Sequence, residues 1–272
     1  MLHCLVITAG LVSAAGAAGA DTAPATNPLY TTPVDSLTPD KIKGLQQRLI
    51  DWPQLQRYRE ENAALPAPVA GQQRVVFFGD SITQGWGATG SSTFFPGKPY
   101  VNRGISGQTT AQMLLRFRQD VIALKPAVVV ILAGTNDIAG NTGPATQAMI
   151  EDNLQSMAEL AKAHGIAVVL SSVLPVSEYP WQRGVQPAGK VRALNAGLRA
   201  YAQTHDIAYL DYYTPMANAD GGLDAALARD GVHPTAAGYR VMAPLAEAAI
   251  ASALARPLSG AAFLSGAPPT GQ

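Results

Sequence analysis

Cysteine is nearly absent from the sequence. The single thiol, Cys4, lies in an apolar N-terminal stretch, so no disulfide can form within the chain and cysteine usage says nothing about redox compartment. Met-Leu-His before Cys4 does not match a lipid-attachment site, and no Cys/His cluster has the spacing of metal ligands. Charge is also scarce. Charged residues make up 14% of the 272, and 19 Lys and Arg balance 19 Asp and Glu. No basic run or stripe occurs, which argues against nucleic acid as a partner. Residues 5–20 are apolar, but too short and too rich in Ala and Gly for a transmembrane span. No Gly-x-x-x-x-Gly-Lys-Ser/Thr follows a strand, so Gly85-Trp86-Gly87 is a weak phosphate-binding candidate. No internal repeat is present.

What remains is an apolar content of 47% in a chain long enough for one α/β domain with a large core. Residues 1–20 end in Ala18-Gly19-Ala20 before Asp21, an A-x-A pattern expected of a cleavable signal peptide. That reading makes the mature protein secreted or periplasmic, although the basic n-region is missing: the first cationic side chain is Lys41. Residues 21–68 form a lead-in with helices, 69–255 the principal domain and 256–272 a loose tail. Within the lead-in, apolar positions predict a helix over residues 41–65, interrupted by Pro53, with a second helix over 53–64.

From Arg74 onward strands and helices alternate. Continuous apolar runs predict buried strands at 74–79, 127–133 and 166–174, with shorter ones at 100–101 and 207–211. Amphipathic patterns predict helices at 109–124, 145–164, 187–205 and 235–254, the first capped by Thr109 or Thr110 and the second closed by Gly165. Five strands alternating with helices imply an α/β fold: a parallel sheet covered on both faces.

Ligands of such sheets bind beyond the carboxyl ends of the strands. Gly79-Asp80-Ser81, Asn102-Arg103-Gly104-Ile105-Ser106-Gly107 and Gly134-Thr135-Asn136-Asp137 all fall there. Ser81 is a candidate nucleophile, though a serine in that position can equally be a helix N-cap. The pattern is not Gly-x-Ser-x-Gly, since Thr83 takes the last position, which disfavours a classical α/β-hydrolase. His3 lies in the apolar leader, and His164 and His205 sit at helix ends, where a cation meets the negative end of the dipole. His233 stands in a loop three residues after Asp230, close enough for that carboxylate to reach Nδ1 while Nε2 faces outward. Gly104 and Asn136 are candidate oxyanion donors, one by close backbone approach and one by a neutral amide; both residue types also occur in turns for conformational reasons. Asp80 and Asp137 are expected to brace loops, while Asp211 has no assigned role.

These blocks resemble the SGNH hydrolases, also called GDSL-type esterases and lipases. The resemblance covers about residues 74–254 and departs at Ile82, where the name-giving motif has Leu. The Asn102–Gly107 block is most similar to the acetylhydrolase branch related to platelet-activating-factor acetylhydrolase. The resemblance implies a three-layer flavodoxin-like fold, a nucleophile at Ser81, an acid–base pair at His233 and Asp230, and an oxyanion hole of the Ser81 N–H, the Gly104 N–H and the Asn136 side chain. No cofactor is implied. The expected partner is a small ester of an alcohol, a sugar or a lipid fragment, with a short acyl group from acetyl to butyryl, because no apolar insertion or lid interrupts the blocks. Tyr179, Trp181 and Arg183, in the loop after the fourth strand, are candidate substrate contacts; ordinary packing is the competing reading. Other functions stay open: O-acyl transfer to an alcohol or hydrolysis of a carbohydrate acetate at the same site, and a carbohydrate-binding or cell-surface module on the same fold.

Overall fold

The computed structural model describes residues 31–88 and 92–257. The leader at 1–20 and nearly all of the C-terminal tail lie outside these residues. Five strands, β1 (Val75–Gly79), β2 (Tyr100–Gly104), β3 (Val128–Leu132), β4 (Ala167–Ser171) and β5 (Ala208–Leu210), form one parallel sheet in the order β2-β1-β3-β4-β5. Every residue of β1, β3 and β4 is buried, which is why these strands read as unbroken apolar runs.

Alternate side chains enter two separate cores. Val76, Phe78, Val129 and Ile131 face helices α4 (Thr110–Asp120), α6 (Gln147–Ala163) and α7 (Pro187–Thr204) through Phe117, Leu154 and Leu194. Val75, Phe77, Val128 and Val130 face α9 (Ala236–Leu254) and the aromatic cluster around Trp86. Trp86 stacks on Tyr239 with ring centroids 5.1 Å apart, so the Gly85-Trp86-Gly87 turn is a packing element. The result is the three-layer α/β fold expected of the family resemblance.

Thr109 caps α4 with a capping box: its own N–H donates to Gln112 Oε1 at 3.1 Å. The helix stops at Asp120, and a separate 3-10 turn at Ile122–Leu124 completes the segment expected to be one helix. In the lead-in, α1 runs Pro39–Ile50 and α2 only Arg59–Ala64. The helix expected from Pro53 does not start there. The Asp51 carboxylate accepts from Leu55 N at 2.8 Å and from Gln56 N at 3.0 Å, and these local bonds hold a turn in place of a helix. β2 continues past Val101 to Gly104, its polar residues tied down by side-chain bonds: Asn102 Nδ2 donates to Thr83 O at 2.6 Å and Arg103 Nε to Asn62 Oδ1 at 2.8 Å.

The lead-in is bonded to the sheet domain through three glutamines. Gln108 Nε2 donates to Pro53 O at 2.8 Å, Gln112 Nε2 to Trp52 O at 2.6 Å and Gln119 Nε2 to Leu55 O at 2.7 Å. Tyr58 is buried and its hydroxyl donates to Gly104 O.

Candidate active site

The strand order reverses direction at β1, so the connections leaving β1 and β3 diverge and open a crevice at their carboxyl ends. β1 runs directly into α3 (Ser81–Gln84). The turn is tight: a Cβ at Gly79 would overlap the Thr83 side chain and come within 2.8 Å of Leu132 O. Asp80 is the N-cap, its Oδ1 accepting from Ile82 N at 2.9 Å. Ser81 is therefore the first helical residue, and the capping role open to it from sequence belongs to Asp80 instead.

Ser81 Oγ lies 3.0 Å from His233 Nε2, and His233 Nδ1 lies 2.8 Å from Asp230 Oδ2. The second carboxylate oxygen, Asp230 Oδ1, accepts from Val232 N at 3.1 Å and His233 N at 2.8 Å, with Gly231 at φ +82 making the turn. One short loop thus uses both oxygens of Asp230 to fix the imidazole. Because an ionised carboxylate only accepts, Nδ1 carries the hydrogen and Nε2 is left to accept from Ser81. Burial pushes the Asp230 carboxyl up, but the His233 N–H and ring, the His233 charge and the Val232 N–H outweigh it, and the net shift is downward. Asp230 stays ionised beside the imidazole. Thr235, not His233, caps α9.

Asn136 enters from α5 (Thr135–Ile138), which begins right after β3 at Gly134, φ +119. It is 2% exposed. Its Nδ2 donates to Gln108 O at 3.0 Å and, at a longer 3.3 Å, to Asp80 Oδ2; its Oδ1 accepts from Asn141 Nδ2 at 2.8 Å. Asp137 points the other way and braces α4 through the Thr110 hydroxyl at 2.6 Å. Burial raises the carboxyls of Asp80 and Asp137 to about 6, against opposing hydrogen bonds from Ile82 N–H and from the Thr110 hydroxyl and N–H respectively. Asp211 stands just before the short helix α8 (Tyr213–Met216), where its carboxylate accepts from Thr214 N at 3.0 Å and pairs with Arg199 at 2.6 Å.

Gly104 requires a correction. It pairs in register with Gly79 at the end of β2, and its N–H donates to Asn102 Oδ1 at 2.9 Å. A Cβ there would overlap the backbone of α3. Gly104 is needed for close packing and its N–H is already spent. Gly107, three residues on at φ +77, lines the cavity with Ser81 and Asn136, and its N–H has no acceptor among the described residues.

The loop after β4 divides in the same way. Trp181 lines the cavity; its indole centroid is 6.2 Å from that of His233 and its Nε1 donates to Asn141 Oδ1 at 3.0 Å. Tyr179 is fully buried beneath it, its hydroxyl 2.9 Å from Thr135 Oγ1, and Arg183 is exposed away from the cavity. Neither of these two is placed to touch a substrate. His164 and His205 cap helix ends, as expected, with His205 Nδ1 2.9 Å from Tyr201 O.

The cavity over Ser81 has a volume of about 730 Å³. One wall comes from the lead-in: Gln47 and Arg48 of α1 and Trp52 of the following turn line it. Among the described residues no group of three or more His, Cys, Asp or Glu side chains is arranged to hold a metal ion, and no helix is long and apolar enough to cross a membrane.

Residues 77–241 match the GDSL-like Lipase/Acylhydrolase family. The chain belongs to this family, the SGNH hydrolases, and is a carboxylic-ester hydrolase. A GDSL-like lipase from Bacteroides thetaiotaomicron is 49% identical, with a TM-score of 0.72 over 75% of this chain and 100% of that one. Esterase TesA of Pseudomonas aeruginosa is 32% identical over 180 residues, 62% of this chain and 83% of TesA. The uncharacterized lipoprotein YqeF of Bacillus subtilis is 28% identical over 211 residues, 63% of this chain and 87% of YqeF.

Proposed function

We propose that the protein hydrolyses short-chain acyl esters, acetyl to butyryl, through an acyl-enzyme on Ser81. The observation that carries this reading is the continuous hydrogen-bonded chain from Ser81 Oγ through His233 to Asp230, opening on one cavity. Ser81 Oγ attacks the ester carbonyl as His233 Nε2 takes its proton. Asp230 holds the imidazole tautomer and offsets its positive charge. The tetrahedral oxyanion is received by three neutral donors: the Ser81 N–H at the start of α3, the Gly107 N–H and the Asn136 amide. Asn136 can release its long bond to Asp80 and turn that hydrogen toward the developing charge. Protonated His233 then gives its proton to the leaving alkoxide, the alcohol departs, and water deacylates Ser81 through the same base.

The cavity lining supports the short acyl group. Among the described residues that line it, none is Leu, Ile, Val, Met or Phe. Each buried methylene of a longer chain gains about 0.8 kcal/mol only where apolar surface receives it. The test is kcat/KM across p-nitrophenyl esters of rising chain length, with Ser81→Ala as the blank. A maximum between acetyl and butyryl, abolished in the variant, is expected; a maximum at octanoyl or beyond contradicts the assignment.

Export to the periplasm or the exterior is part of the same reading. It rests on the A-x-A leader and is supported by the likeness to a lipoprotein of Bacillus subtilis. N-terminal sequencing of the protein recovered from its native host should begin at Asp21; retention of residues 1–20 contradicts it.

A further inference from the structure

The family match begins at residue 77, yet one wall of the cavity comes from residues well before it. That wall is polar. Gln47 and Arg48 are exposed on α1, and their side chains have no hydrogen-bond or ion-pair partner among the described residues. Beside them stands Trp52, whose carbonyl is held by Gln112, so the indole is carried on a fixed backbone. Trp181 supplies a second indole from another part of the chain, 41% exposed and held by Asn141. Among the described residues these two rings are the large apolar surfaces of the lining.

A cavity of about 730 Å³ is far more than an acetyl group fills. The remaining part has room for the alcohol half of the ester. Flat aromatic faces with multivalent amide and guanidinium donors suit a ligand with apolar C–H faces and a rim of hydroxyls, and they suit an alkyl chain poorly. We propose that the lead-in wall of Gln47, Arg48 and Trp52 is the specificity-determining subsite for a carbohydrate leaving group, so that the substrate is an acylated sugar. The inference rests on the ester-hydrolase reading above and adds the identity of the alcohol. Arg48 and Gln47 bond to sugar hydroxyls, and Trp52 and Trp181 offer stacking faces. Binding energy from this remote part of the substrate positions the ester carbonyl over Ser81.

The experiment compares two acetates of similar shape: monoacetyl methyl glucopyranoside, each position of esterification taken in turn, and cyclohexylmethyl acetate, which has the ring without the hydroxyls. p-Nitrophenyl acetate serves as the common reference. For the wild type, kcat/KM on the best sugar ester should exceed that on cyclohexylmethyl acetate by at least about 100-fold, as for a site built to bond hydroxyls. In the double variant Gln47→Ala/Arg48→Ala, both on an exposed helix face, the ratio of kcat/KM for sugar ester to p-nitrophenyl acetate should fall by about tenfold or more per lost bond. Equal or better turnover of cyclohexylmethyl acetate overturns the proposal, as does a ratio unmoved by the variant. Neither result touches the esterase reading, which fails separately if the wild type leaves p-nitrophenyl acetate intact.

Discussion

In the proposed mechanism Ser81 and His233 act as one unit, because a serine hydroxyl is a weak nucleophile without a base, and the imidazole lies 3.0 Å away. Ser81→Ala and His233→Ala should each reduce kcat on p-nitrophenyl acetate by several orders of magnitude, and the double variant should be little worse than either. Additive losses would show that the two act separately. Asn136→Ala should lower kcat by roughly 10²–10³ with a smaller change in KM, since the amide meets charge mainly in the transition state. A pure KM effect would place it in ground-state binding. Asp80 makes a prediction of a different kind. Its folded carboxyl titrates near 6, above the ordinary 3.8, so the folded state holds the proton more tightly. The resulting stabilisation is fully present below about pH 3.8 and lost as pH rises through about 6. It amounts to something on the order of 3 kcal/mol. Asp80→Asn should therefore flatten the fall in urea-unfolding stability between about pH 4 and 6.5. Asp137 contributes with the same sign, so the flattening is partial. A stability profile in the variant as steep as the wild type's would contradict the buried-acid assignment.

At the scale of elements, the parts legible in the sequence were those whose environment is uniform. β1, β3 and β4 are buried on both faces, and their unbroken apolar runs announce this. The Asp230–His233 loop was legible because its chemistry is local, a carboxylate reaching an imidazole within one turn. Gly104 and Gly107 were not separable, since both glycines fit a close approach and only the Gly79–Gly104 register shows which one is buried against α3. The residues of the lead-in wall were not legible one by one, because their placement is fixed by contacts of long sequence separation. One signal did exist. Gln108, Gln112 and Gln119 recur at spacings of four and seven on and just before α4, a polar stripe that faces another backbone. Gln112→Ala removes both the capping-box partner of Thr109 and the bond to Trp52 O, and should cost about 1–3 kcal/mol in urea unfolding. An unchanged midpoint would mean the lead-in is not held there. Arg116 is the harsher case. It is fully buried and joins Gly79 O, Arg103 O and Asp120 beneath the site. Arg116→Met should cost about 3–5 kcal/mol, because it strands the Asp120 carboxylate in the core; a loss under 1 kcal/mol, a rough threshold set by exposed pairs, would contradict this network.

For the whole molecule, a sheet whose strand order reverses at β1 brings the segments after β1, β2 and β3 to one crevice, where the loops holding Trp181 and His233 join them and the lead-in adds a further wall. In the proposed function the family's shared blocks supply the reacting groups, and in the further inference the segment ahead of them supplies the wall that meets the alcohol. All of this depends on Ser81 being the atom that becomes acylated. The most direct measurement is the site of covalent labelling: the active protein is treated with a fluorophosphonate and the adduct located by peptide mass spectrometry. The account predicts a single adduct on Ser81, lost in Ser81→Ala and strongly slowed in His233→Ala. An adduct on any other residue, or an active enzyme that resists labelling, would contradict it.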